Sequence, residues 1–359
     1  MGTDIHQQER PLIIPIFIMN GGCPRQCIFC NEKIAAGNFA QEVSKSFFEA
    51  EVDSYLRWNK DKLRKVEIAF YGGSFTGLAL DYQKRLLSWA QVYIKKGLVE
   101  SIRISTRPDY ISDDQLNLLQ AHGVRTIEIG AQSMNDEVLR LAGRGHDARA
   151  TVRAMQLLKA HGFQTGVHLM AGLPHDTREN FLETLARVGE LRPDTARIHP
   201  VLVFQNTPLA EEFKKGHYRP LGLDEAVEWC RLAWEALTPA GIRIIRFGLH
   251  VTPEMGKEGV LAGPLHPAFG SLVYSAIFYS AALHLLRVIP QQARRLHFRA
   301  ADRAQSNFRG ERNRNINAIK KLYPNAQIVI DSVCEGDPGR LSLITETGES
   351  FFLDIPGII

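Results

Sequence analysis

From residue 12 to about residue 248 the chain alternates short runs rich in β-branched and aromatic residues with longer stretches of helical periodicity. This alternation leaves room for little besides a parallel sheet covered by helices. Strands are expected at 12–19, 65–71, 101–105, 125–130, 163–169 and 195–201, and helices at 45–58, 81–95, 112–121, 148–160 and 178–190. Several helical stretches run into glycine, at Gly97, Gly123 and Gly162, the residue that closes a helix in the left-handed conformation at least steric cost. Pro15 has no N–H to give to a ladder, which puts the first strand at an edge or a bulge. Six βα units make an α/β fold, a partial (β/α)6 barrel, and later patterns at 223–240, 242–247 and 269–286 extend it. The expected division is a barrel over 1–248, a helical extension over 249–286 and a basic C-terminal α/β domain over 287–359.

The 359 residues are 45% hydrophobic and 23% charged, enough to bury a large core, which excludes a disordered chain. No apolar stretch reads as long enough to span a bilayer, and the run at 12–19 contains Pro15 behind a polar leader. No membrane association and a cytoplasmic location are therefore expected.

Of five cysteines, Cys23, Cys27 and Cys30 stand within eight residues, directly after the first strand. An odd count in such a cluster argues for metal binding in a reducing compartment rather than for disulfides. Three thiolates can hold three irons of a cubane and leave the fourth open to a ligand. A zinc knuckle completed by a histidine is the alternative. Cys230 falls on the apolar face of a helix with Ala226, Trp229, Ala233 and Leu237 and reads as a buried hydrophobe. Cys334 is isolated.

Active sites of parallel barrels collect at the carboxyl ends of the strands, so the turns there carry the chemistry. After the cysteine turn come Tyr71-Gly72-Gly73-Ser74-Phe75, Ser105-Thr106-Arg107-Pro108-Asp109, Glu128-Ile129-Gly130-Ala131-Gln132-Ser133 and His168-Leu169-Met170-Ala171-Gly172. The glycine pair lets a ligand approach the backbone. Arg107 is read as an ion-pair former, and His199 and His266, each before a proline, as packing or loop residues.

These residues resemble the radical S-adenosylmethionine (SAM) superfamily, whose hallmark C-x3-C-x2-C carries an aromatic before the third cysteine, here Phe29. The later motifs, at 105–110, 128–133, 143–146 and 198–201, are most similar to the radical subunit of Elongator, a tRNA wobble-uridine modifying family, and next to oxygen-independent coproporphyrinogen oxidase. The resemblance implies a [4Fe-4S] cluster on Cys23, Cys27 and Cys30, SAM on the open iron, a one-electron donor and a 5'-deoxyadenosyl radical. It further implies Phe29 beside the adenine, Gly72, Gly73 and Ser74 at the methionine amino group, Ser105 and Gln132 along the ribose and methionine, and Arg144 on the carboxylate. His168 stands where the porphyrinogen enzyme has an acidic ribose ligand. Within 359 residues no room is expected for the acetyltransferase domain that the Elongator subunit carries, so carboxymethylation is not carried over whole.

Residues 286–323 hold ten Lys and Arg against Asp302 and Glu311, a local +8 in a chain of net charge +4, which points to a polyanion partner. Within this stretch, Arg309, Gly310, Arg312, Asn313 and Arg314 have the spacing of a KH-type clamp on single-stranded nucleic acid, with Asn313 in place of the second glycine. Asn tolerates the left-handed region better than most residues. A plain helix-turn-helix cap on the barrel is the alternative. The expected function is a radical SAM enzyme acting on RNA, with a tRNA base as the expected target. The rivals are a radical enzyme on a small molecule such as a tetrapyrrole, and a non-catalytic cluster or zinc protein that binds RNA.

Overall fold

The computed structural model describes residues 11–18, 21–23, 27–31, 42–61, 64–250, 259–333 and 339–356. Cys334 lies outside them. Along the first half of the chain run β1 (Leu12–Phe17), α1 (Lys45–Trp58), β2 (Val66–Tyr71), α2 (Leu80–Lys95), β3 (Ser101–Thr106), α3 (Asp113–Ala121), β4 (Val124–Gln132), α4 (Asp136–Leu141), α5 (Ala148–Ala160), β5 (Gln164–Ala171), α6 (Arg178–Leu191) and β6 (Thr195–Pro200). A two-residue strand β7 (Val203–Phe204), α7 (Pro208–Lys214), α8 (Leu223–Leu237) and β8 (Arg243–Phe247) follow. β1 to β6 and then β8 lie side by side, all parallel, in chain order. The fold is an open, partial barrel of seven strands. The sequence counted six barrel strands and read 242–247 as extending them within the 1–248 unit; its pairing with β6 makes it the seventh strand of the wall. Pro15 sits on β1, which among the described residues pairs with β2 alone, so its missing N–H faces the open edge.

Local chemistry accounts for the helices. Ser44, Asp147 and Thr177 each accept a hydrogen bond at the start of α1, α5 and α6, from Phe47 N, Ala150 N and Asn180 N. Phe48 and Val52 of α1, four residues apart, are fully buried against the sheet. Each such side chain contributes about 1.5–3 kcal/mol. Cys230 on α8 is fully buried, and burial pushes its thiol up.

Beyond the barrel come β9 (Val260–Ala262), which pairs antiparallel with β7, then α9 (Phe269–Leu286), β10 (Arg295–Ala301), α10 (Asp302–Arg309), α11 (Arg314–Leu322), β11 (Gln327–Val333), β12 (Arg340–Ile344) and β13 (Ser350–Asp354). The last four strands form a second sheet in the order β11-β10-β12-β13. By length and composition α9 is apolar enough to cross a membrane, which corrects the expectation that no stretch is. In the fold it packs against α8, α10 and the C-terminal sheet and buries Phe269, Val273, Ile277, Phe278, Ala282, Leu285 and Leu286. A helix apolar all round fits such a place between two layers. One hydrophobic core therefore runs from β1 through α9 into the C-terminal sheet.

The turn between α10 and α11 is built as packing. A Cβ on Gly310 would stand 2.7 Å from Ser275 Oγ of α9. The buried Asn315 amide donates to Ser275 O, to Ser275 Oγ and to Phe308 O at 2.9–3.0 Å. Asn313 adopts the left-handed conformation (φ 59°), as does Arg312 (φ 50°). Gly310 and Asn315 thus serve the cap on the barrel, while Arg312, Asn313 and Arg314 remain exposed and Arg314 reaches Asp224 of α8 at 2.8 Å.

Candidate active site

Glycines bring the cysteine turn and the turn after β2 into backbone contact. A Cβ on Gly22 would lie 2.1 Å from Ser74 O, one on Gly73 2.4 Å from Gly21 O, and one on Gly77 2.1 Å from Gly22 O. No other residue fits at these three positions without displacing a backbone. Ser74 N donates to Gly21 O at 2.8 Å, which closes the contact. Gly73 is thus demanded by packing as well as by any ligand, a role that the Gly-Gly pair alone does not reveal. Further on, Ile28 N donates to Ala142 O and Ile28 O accepts from Leu209 N, so α4 and α7 hold the far side of the cysteine turn.

One cavity of about 1090 Å³ opens inside the barrel, and Cys23, Cys27, Cys30, Phe29, Gly72, Gly73, Ser105, Gln132, Arg144 and His168 all line it. The structure places Ser74 elsewhere. Its hydroxyl is fully buried, bonded to Thr106 Oγ1 at 2.9 Å and to Arg107 N at 3.3 Å, where it ties the turns after β2 and β3 together. Gln132 sits at an irregularity in the β4–β5 pairing with φ 69°, a strained conformation for a side chain of its size.

Arg144 is spent differently from the expected carboxylate pair. Its Nη1 donates to Cys27 Sγ at 3.1 Å, its Nη2 to Gly130 O at 2.5 Å, and its Nε to His146 Nε2 at 3.3 Å. Burial, with Arg144 next, lowers His146 to about 4, so this imidazole is a neutral acceptor. Arg107 pairs with Asp109 through both Nε and Nη2, as an ion-pair former does, and also donates to Arg144 O at 2.6 Å. The donor set fits a cluster: three sulfurs border one cavity, and a guanidinium held from behind points at the buried sulfur among them. Among the described residues no three His, Cys, Asp or Glu side chains converge on a single metal ion.

The interior of the barrel holds a polar network that sequence reading missed. Glu128 of β4, fully buried, accepts from Arg103 Nη1 at 2.7 Å, from His168 Nε2 at 2.6 Å and from Arg197 Nη2 at 3.0 Å. Glu67 takes the other edge of Arg103 at 2.7 and 2.9 Å, and Arg197 also donates to Tyr71 Oη at 2.7 Å. Burial opposes charge on Glu128, but Arg197, the His168 hydrogen bond and Arg103 outweigh it and hold the carboxyl well below the usual range. Burial pushes the Tyr71 phenol up, with Glu128 adding to it. His199 lies edge-to-face on His168, and burial, then His168 and Arg197, keep it neutral. A usable signal existed: within each strand polar residues recur at alternate positions, Arg103 and Ser105, Thr126 and Glu128, Arg197 and His199, the mark of an inward polar row.

A parallel half-barrel with cysteines at the carboxyl end of its first strand defines a radical SAM fold. The Radical SAM superfamily profile matches residues 17–188 and the Radical_SAM C-terminal domain profile residues 193–278, and the chain belongs to this superfamily of enzymes, which use a [4Fe-4S] cluster and SAM. Among its relatives is the tRNA uridine(34) acetyltransferase of Methanocaldococcus jannaschii, 29% identical over 70% of this chain and 53% of that protein. Elongator complex protein 3 of Homo sapiens is 29% identical over 56% of this chain and 40% of its own length. The chain spans about half the length of the curated relatives it matches. The solved structure of archaeal Methanocaldococcus infernus Elp3 with an N-terminus deletion shares the fold, with a TM-score of 0.59 and 23% identity over 74% of this chain and 63% of that one.

Proposed function

We propose that this protein is a radical SAM enzyme that modifies RNA, with a tRNA base as its target. The observation that carries the enzymatic part is the gathering of Cys23, Cys27, Cys30 and nearly every expected cofactor residue around one cavity at the carboxyl ends of the strands. When bound, the cluster and SAM supply a 5'-deoxyadenosyl radical that takes a hydrogen atom from substrate. The cysteines would hold the cluster, Phe29 would flank the adenine, the Gly72-Gly73 backbone would face the amino group, and Ser105, Gln132 and His168 would line the rest. Arg144, buttressed by Arg107, would stabilise the charge on the Cys27 sulfur. The barrel wall excludes water and competing quenchers from the radical.

The RNA part draws support from relatives whose names specify tRNA uridine 34 and from the basic stretch 286–323. Arg312, Asn313 and Arg314 are exposed there, and Arg309 is half-buried. An external one-electron donor would reduce the cluster.

The test is anaerobic reconstitution. Cluster absorbance and dithionite-dependent 5'-deoxyadenosine are expected, both lost when the three cysteines become alanine. Retention of tRNA should weaken steeply with salt, and charge reversal at Arg309, Arg312 and Arg314 should lower both affinity and salt slope, since phosphate contacts release counterions. Cleavage of SAM with no tRNA retention at low salt would move the substrate to a small molecule.

A further inference from the structure

The cavity wall is strongly one-sided in charge. Among the described residues lining it are six arginines, Arg103, Arg107, Arg144, Arg197, Arg243 and Arg246, and no aspartate or glutamate. Most of these cations are already engaged. Glu67 and Glu128 stand behind Arg103 and Arg197, Asp109 takes Arg107, and Arg144 is turned to Cys27 and Gly130.

Arg246 differs. The residue is exposed to solvent, its side chain makes no ion pair or hydrogen bond with a described residue, and strand register sets it directly beside Arg197, which in turn is the register partner of His168. Two nitrogens in the same region, Arg197 Nε and His199 Nδ1, are buried and have no hydrogen-bond partner. Each is a buried orphan that a ligand or a water would satisfy. Burial, then Arg197, lowers the Arg246 guanidinium, and Tyr71 and Glu128 offset this only in part.

We propose that this corner of the cavity, on β6 and β8 beside His168, is a subsite for the oxyanion of the substrate, a phosphate or a carboxylate, with Arg246 as its principal ligand. Arg197 Nε would donate to the same group, and His199 Nδ1 would satisfy a protonated oxygen or a bridging water. A planar guanidinium fork suits either anion. The subsite would fix the anionic end of the substrate against the barrel wall and so orient the rest of it toward the cysteines. This inference rests on the cavity being the active site, and it deepens that reading by naming what the substrate must carry.

The experiment uses the full chain without cluster, so its readout is independent of turnover. Inorganic phosphate and succinate are titrated by calorimetry against wild type, Arg246→Gln and Arg246→Lys, with Arg85→Gln, an exposed arginine on α2, as a surface control. Saturable binding of one anion is expected, weakened tenfold or more in R246Q, partly retained in R246K and unchanged in R85Q. The tighter anion then identifies the source, a phosphorylated substrate or a carboxylic acid. On wild type alone, the same anion should protect the Arg246 peptide from phenylglyoxal, which keeps the proposal testable if R246Q does not fold. SAM affinity of reconstituted R246Q should equal wild type; loss of SAM cleavage in wild type would instead strike the enzymatic reading. Absence of saturable binding, equal binding by R246Q, no protection at Arg246, or SAM binding weakened in step with the anion would each overturn the subsite.

Discussion

Gln132 is the residue at which conformation and chemistry most plainly diverge. It holds φ at 69°, where only glycine is unstrained, and it does so on the cavity wall. Strain of this kind costs on the order of 1–3 kcal/mol and is offset in part by the entropy that a glycine would lose. Gln132→Gly should therefore fold with a stability within about 1 kcal/mol of wild type or above it, while SAM binding weakens; denaturant midpoints and SAM titration separate the two effects. Asp176, in the loop between β5 and α6, presents the opposite case, a buried carboxyl with little help. Gly172 N donates to its Oδ2 at 3.2 Å and Oδ1 has no partner, so burial pushes it up to about 7. The folded chain then holds a proton that the unfolded chain has released, and stability falls as pH rises from the ordinary aspartate range near 4 toward 7. Asp176→Asn should raise the melting temperature relative to wild type at pH 8 and leave it nearly unchanged at pH 4.

At the scale of elements, α9 decides how the C-terminal third is mounted. Its Ser275 receives the Asn315 amide and closely abuts Gly310, so the α10–α11 turn is held by backbone and side chain together. Asn315→Ala removes the buried amide whose two hydrogens Ser275 and Phe308 O share. A loss of about 1–3 kcal/mol is expected in chemical denaturation. The elements themselves were readable: helices at 45–58, 148–160 and 178–190 and the α10-α11-β11 series follow from apolar periodicity, capping residues and glycine stops. The short helices α4 and α7 were not, because one or two turns supply too few periodic positions to stand out from a loop.

Across the whole molecule, Glu128 joins β4 to β3, β5 and β6 and through Tyr71 to β2, so a single carboxylate helps set the curvature around the cavity. Glu128→Gln should cost about 3–5 kcal/mol at pH 7, since it leaves Arg197 without a counter-charge. The sign with pH follows from a folded carboxyl held below its ordinary range. The advantage of wild type over the variant is complete above about pH 4.3 and shrinks below it as acid protonates Glu128 in the unfolded chain while the folded carboxylate stays charged, which urea titrations at pH 3 and pH 7 measure.

The sequence by itself determined the class of fold, the cysteine turn and the positions that border the cavity, because strand period, helix caps and a spaced thiol triplet are local facts. It also marked Asn313 for the left-handed turn it adopts. Tertiary structure alone decided that 243–247 closes the barrel wall and that Ser74 turns inward to Thr106. It decided too that Arg144 serves Cys27, and that an apolar helix long enough for a membrane lies between two layers of protein. Each of these depends on which surfaces meet across about thirty to more than a hundred residues of chain, and pairing at that range is set by packing of the assembled layers, not by any window of sequence.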